Sequence, residues 1–137
     1  MKKIFKKTIH PEYLNFGILL LRLTVAGFML THGWPKLLRL FEGGEIKFGD
    51  PLGIGPALSL ILVVFAEVLC SVLIGIGILT RMATIPLMIT MGVAAFISHG
   101  NDPFGRKELA LMYLLIYIFL FISGGGKYTL ESLFKKR

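Results

Sequence analysis

The residues able to do chemistry in this chain are few, and most sit where charge is expensive. Glu67 is the one charged residue in the apolar run 56–79, and an acid at bilayer depth costs about 2.5–3.5 kcal/mol. Arg22 interrupts an earlier apolar run in the same way. Measured from the inner ends of their runs, Arg22 stands ~12 Å up and Glu67 ~18 Å up, so long side chains would let them meet. An Arg22–Glu67 pair is therefore expected, either as an ion pair that fixes helix packing or as a site that binds a polar headgroup or moves a proton.

Three further groups fall at the opposite end. His32 closes the first apolar run, His99 closes the third, and Glu108 opens the fourth. Imidazole and carboxylate at one level support interfacial solvation, or proton exchange in a shared outer pocket. Two histidines and a carboxylate would also suit a metal, but their spacing is not that of a metal motif, and no metal site is assigned. Cys70 is the single cysteine, which excludes an intrachain disulfide and a Cys-x-x-Cys pair. Its apolar setting suits packing better than a thiolate. Tyr113 and Tyr117 lie one turn apart, almost opposite Glu108 around their helix, facing lipid or bonding across to a neighbour.

The elements that must position these groups follow from hydropathy. The chain has 137 residues, 55% of them hydrophobic, gathered into long runs, with a mean hydropathy of +0.76. Runs of this length can cross a ~30 Å hydrocarbon core only as helices. The fold class expected is an all-α membrane protein, a four-transmembrane-helix antiparallel bundle forming one domain over residues 1–137. The helices are placed at about 14–33, 56–79, 82–98 and 108–123. His10-Pro11 marks the start of the first, Thr80-Arg81 forms a tight turn, and Gly124 to Gly126 stop the last. Residues 35–55 are the longest connection, read as a short amphipathic helix on the membrane surface followed by a turn-rich segment, FGDPLGIG.

The net charge of +7 lies mostly at the two ends, which suits anionic lipid headgroups. No basic stripe is interleaved with aromatics, so nucleic acid is not an expected partner. With the N-terminus inside, nine Lys and Arg fall on the inner side and five on the outer, which puts both termini in the cytoplasm.

Three stretches together resemble the DoxX family of small four-helix membrane proteins. They are LLLRLTVAGFMLTHGWPKL (19–37), AEVLCSVLIGIGILTR (66–81) and KELALMYLLIYIFLFISGGGKYTLES (107–132). The resemblance carries over Arg22, His32, Gly33, Lys36, Glu67, Gly75, Thr80, Arg81 and Glu108 as a group, without roles. It implies a protein of the bacterial inner membrane associated with quinone-linked redox systems. The vitamin K epoxide reductase type uses a cysteine pair, which a lone Cys70 cannot supply.

On this reading the chain is a quinone- or lipid-binding subunit of a membrane redox system. Arg22, Glu67, His32, His99, Glu108 and Lys36 are the ligand-binding or proton-handling candidates. No haem, flavin or iron–sulfur motif is present, so a redox partner protein would supply electrons. The alternatives are a non-enzymatic assembly scaffold and a small proton-coupled transporter acting as a homodimer.

Overall fold

The computed structural model describes residues 9–135. The lysines of the basic start (Lys2, Lys3, Lys6 and Lys7), and Lys136 and Arg137 of the tail, lie outside the described residues. The described chain is helical, without strands. Its elements are α1 (Pro11–Phe41), α2 (Pro56–Ile76), α3 (Thr80–Ser98), α4 (Phe104–Ser123) and the short α5 (Leu130–Lys135). Helices α1, α2 and α3 are long and apolar enough to cross a membrane. Helix α4, with 20 residues, matches α2 and α3 in length to within a residue but carries Arg106, Lys107 and Glu108 near its start.

The helix starts obey local chemistry. Pro11 occupies the first turn of α1, where its missing N–H costs nothing, and the His10 ring accepts from the Glu12 amide at 3.3 Å. Helix α1 does not stop at Gly33. It continues through Pro35 to Phe41, so the expected separate surface helix is the last two turns of α1. The proline removes one hydrogen-bonded rung, and contacts made by Gly33 and Lys36 to α2 hold the helix on course. Asp50 organises the following loop: its carboxylate accepts from the amides of Ile54 and Gly55, both at 2.9 Å, and from the Ser59 hydroxyl at 3.2 Å. That arrangement leads the chain into Pro56 at the start of α2.

Helix α2 ends at Ile76, three residues short of expectation. Gly77 takes the left-handed conformation at φ 79°, and the Gly77 and Ile78 amides close back on the Leu73 carbonyl. The turn is therefore 77–79, and Thr80 and Arg81 already belong to α3. Both α2 and α3 contain a π-helical stretch, Phe65–Cys70 and Ala94–Ser98.

Apolar side chains cover the outside of the bundle as well as its inside. Leu20, Phe28, Phe65, Leu69, Ile89, Phe96, Leu115 and Ile122 are exposed, while Val25, Met29, Ile74, Leu87, Tyr117 and Leu120 form the core. A water-facing surface of this kind would be a large aggregation patch, whereas lipid tolerates it. Helix α1 packs on α2, and α3 packs on both α2 and α4.

Candidate functional site

The polar groups sort into two centres at different levels, and the register of α1 against α2 sets the separation. A Cβ at Gly75 would come within 3.2 Å of the Ala26 Cβ, and one at Gly33 within 2.9 Å of the Glu67 Cβ. The helices thus run antiparallel, with Gly33 opposite Glu67 and Arg22 opposite the end of α2. Eleven residues divide Arg22 from Gly33, about 16 Å along the axis. The expected Arg22–Glu67 pair is not formed. Aligning the inner ends of two apolar runs misplaced the register by about two turns, because small residues, not run ends, decide how these helices meet.

Arg22 is 1% exposed and is held by carbonyls instead. Its Nε donates to Ile74 O at 2.9 Å and its Nη2 to Gly75 O at 2.9 Å, two of the carbonyls a helix end leaves free. Its Nη1 donates to Gly125 O at 3.0 Å and to Tyr128 O at 2.6 Å. A cation there also complements the negative end of the α2 dipole. The glycine-rich segment after α4 is therefore a strap folded back over the bundle end. Glu12 ties it down, accepting from Lys127 Nζ at 2.7 Å and from the Tyr128 hydroxyl at 2.6 Å. Arg22 has a structural part to play, and no ligand is needed to explain it.

The second centre is a pair that residue spacing did not single out. Lys36 donates to both carboxylate oxygens of Glu67, at 2.9 and 2.8 Å. Glu67 is 3% exposed, whereas the Lys36 side chain is 29% exposed. Glu67 lies within the π-helical stretch of α2, a geometry frequent at functional sites. Gly33 lets α1 approach so closely that a methyl group would stand 2.9 Å from the Glu67 Cβ and from the Val68 Cγ2.

Glu67 lines two clefts. One, of about 300 Å³, has Lys36 and Glu67 on its wall with Ser59, Thr90 and Ser98, and is otherwise apolar, with Phe48, Pro51, Leu52 and Ile54 of the loop and Leu62 and Ile89 of the helices. The other, of about 200 Å³, is lined by His32, His99, Arg106 and Tyr113. The His32 ring meets Tyr113 edge-on at 5.9 Å, and Tyr113 stacks on Tyr117 at 6.1 Å. Both tyrosines are buried, so neither faces lipid.

The expected trio of His32, His99 and Glu108 is thus brought together only in part. The two histidines share a cleft, but Glu108 is exposed outside it, and Arg106 takes the place expected for it. Helix α4 begins at Phe104, one turn earlier than expected, which rotates Glu108 away and moves it out of the first turn. His99 instead meets Asp102 at 2.7 Å, and this hydrogen bond holds the Asp102 carboxyl below its usual range. Among the described residues no three His, Cys, Asp or Glu side chains converge as a metal set.

Residues 17–100, which contain Arg22, His32, Lys36, Glu67 and His99, match the DoxX family model. The chain belongs to the DoxX family. A relative from Haemophilus influenzae, described as an uncharacterized protein, is 31% identical over 136 residues, covering 92% of this chain and 96% of its own. No solved structure matches. This DoxX chain is accordingly a membrane protein whose matched segment contains the Lys36–Glu67 pair and both histidines of the second cleft, while Arg106 and Tyr113 of that cleft follow it. Glu108 and the strap lie beyond it.

Sequence reasoning missed three features of the site. Lys36 follows from the resemblance alone, because by hydropathy it falls in the connection after residue 33. Arg106 falls by hydropathy in the loop between the third and fourth helices, where a charge calls for no partner. Asp50 was absorbed into a turn-rich stretch, although Asp before Pro-Leu-Gly, followed by a proline-led helix, is a capping signal.

Proposed function

We propose that this DoxX protein binds the head of a quinone or a lipid in the cleft walled by Lys36 and Glu67, as a subunit of a membrane redox system. The observation that carries this reading is a buried carboxylate–ammonium pair on the wall of an otherwise apolar cleft of about 300 Å³. The residues fit such a group. Two protons of the Lys36 ammonium go to Glu67, and the third is available to a ligand carbonyl. The apolar lining and the apolar bundle exterior suit an isoprenoid or acyl tail.

A bound quinone takes up two electrons and two protons. Glu67, facing both clefts, would hand protons between the histidine cleft and the ligand cleft, with His32 and His99 on the outer side. Electrons would come from a partner protein. On this reading α4 is a fourth transmembrane span, both termini are cytoplasmic, and the membrane is the bacterial inner membrane, since that orientation keeps more Lys and Arg inside.

Titrating short-chain benzoquinone and naphthoquinone into purified protein in nanodiscs tests the reading. A rise in thermal midpoint with at least one quinone is expected, lost in Lys36→Met and in Glu67→Gln. No shift with any native quinone, or a shift that survives Lys36→Met, would refute it.

A further inference from the structure

A second cavity, of about 380 Å³, lies at the other end of the bundle, where α2 turns into α3 and the strap leaves α4. Its wall carries Arg81, Lys135 and Thr80 beside the glycines Gly124 to Gly126. The Arg81 guanidinium lies over Gly124 and uses one N–H, on Ile122 O at 3.2 Å. Among the described residues its remaining donors meet no other acceptor. Glu131 also lines the cavity, but its carboxylate is engaged by Lys135 Nζ at 3.0 Å and by the Leu79 amide at 3.3 Å. These contacts hold it below the usual carboxylate range. With one carboxylate set against Arg81 and Lys135, the cavity keeps a charge of one cation.

Thr80 supplies an independent observation. It is 6% exposed, lines the cavity, and its hydroxyl hydrogen-bonds to no other described residue. A methyl at Gly125 would lie 2.7 Å from that hydroxyl, so glycine is what leaves room in front of it. A hydroxyl on a largely buried residue that lines the cavity, beside a guanidinium with donors to spare, is a recognition pattern for an oxyanion. Leu79 and Met82 are exposed at the rim, where acyl chains would lie.

We propose that this cavity binds a phosphate group, with Arg81 as its principal partner, Thr80 as a neutral donor and Lys135 at the mouth. The phosphate belongs to an anionic lipid headgroup or is free phosphate, and the two sources share the same contacts. The site is separate from the Lys36–Glu67 cleft and does not rest on the function proposed for it.

The test compares phosphatidylglycerol, phosphatidylcholine and millimolar inorganic phosphate as additions to the full chain in neutral detergent. The readouts are thermal midpoint and lipid retention by native mass spectrometry. Phosphatidylglycerol is expected to bind more tightly than phosphatidylcholine, and Arg81→Gln is expected to weaken it by roughly tenfold. Lys107→Gln, a cation change at the far end of the bundle, is expected to leave binding as it is. A response to phosphatidylglycerol alone identifies the lipid, and an equal response to inorganic phosphate identifies free phosphate. If Arg81→Gln does not fold, Thr80→Val, which keeps the side-chain volume, decides, with a several-fold loss expected. Unchanged affinity in the folded variant, an equal loss in Lys107→Gln, or no preference over phosphatidylcholine together with no response to phosphate, overturns the proposal.

Discussion

Arg22 and Glu67 are two buried opposite charges that do not touch, and a double-mutant cycle exposes the difference between their partners. Arg22→Leu removes four hydrogen bonds from a charged donor, to the carbonyls of Ile74, Gly75, Gly125 and Tyr128. Each such bond contributes about 1.5–3 kcal/mol. The sum is not reached, because the strap can lift away and let water reach the Gly125 and Tyr128 carbonyls. A loss of about 3–5 kcal/mol is expected, typical of breaking a buried charged cluster. Glu67→Gln disturbs only the pair with Lys36, and the partly exposed ammonium can turn outward to solvent. Coupling between Lys36→Met and Glu67→Gln should be about 1–3 kcal/mol. Coupling between Arg22→Leu and Glu67→Gln should stay within about 0.5 kcal/mol, since the sites are far apart and share no partner. Unfolding in mixed micelles, followed by the fluorescence of Trp34, the one tryptophan, measures all of these. Strong coupling of Arg22 to Glu67, or none of Lys36 to Glu67, would refute the assignment of partners.

Two further outcomes follow from local geometry. Gly33→Ala places a methyl 2.9 Å from the Glu67 Cβ and the Val68 Cγ2 and 3.1 Å from the Glu67 carbonyl carbon. It should cost about 1–3 kcal/mol by overpacking and reduce ligand binding in the Lys36 cleft, read as paired losses in thermal midpoint and quinone affinity. Burial pushes the Asp50 carboxyl up, but the hydrogen bonds from Gly55, Ile54 and Ser59 outweigh it and leave the group below its ordinary value. A carboxyl depressed on folding stabilises fully above its unfolded pKa, and that contribution fades as pH falls through the lower folded value. Hydrogen exchange at the Ile54 and Gly55 amides should therefore gain protection-loss on acidification beyond the intrinsic pH effect, and Asp50→Asn should abolish that step. An identical acid response in the variant would contradict the role given to Asp50.

Much of the architecture was legible without coordinates. Helix positions followed from apolar runs too long for a soluble strand or loop, and the proline and glycine punctuation marked most boundaries, because lipid leaves the backbone no other way to satisfy its hydrogen bonds. The boundaries that failed did so for local reasons. Gly77 ended α2 early through a left-handed turn, Pro35 did not break α1, and α4 began before Glu108. The longer α1 carries Lys36 on to Glu67, and the earlier start of α4 leaves Glu108 outside the histidine cleft.

The composition of the site was in the sequence, and its wiring was not. Arg22, Glu67 and the two histidines stand out as charge or imidazole within or at the ends of apolar runs, and that contrast is a property of the chain alone, whereas Lys36 follows Pro35 in a mixed stretch and does not stand out. Which carboxylate meets which cation depends on how α1 slides along α2, and Gly33, Ala26 and Gly75 decide that through close contact across residues far apart in sequence. Hydropathy is blind to a slide of two turns, because it scores each apolar run by itself and not the close contacts between runs. Only the folded bundle brought the glycine-rich strap to Arg22 and left Glu67 to Lys36.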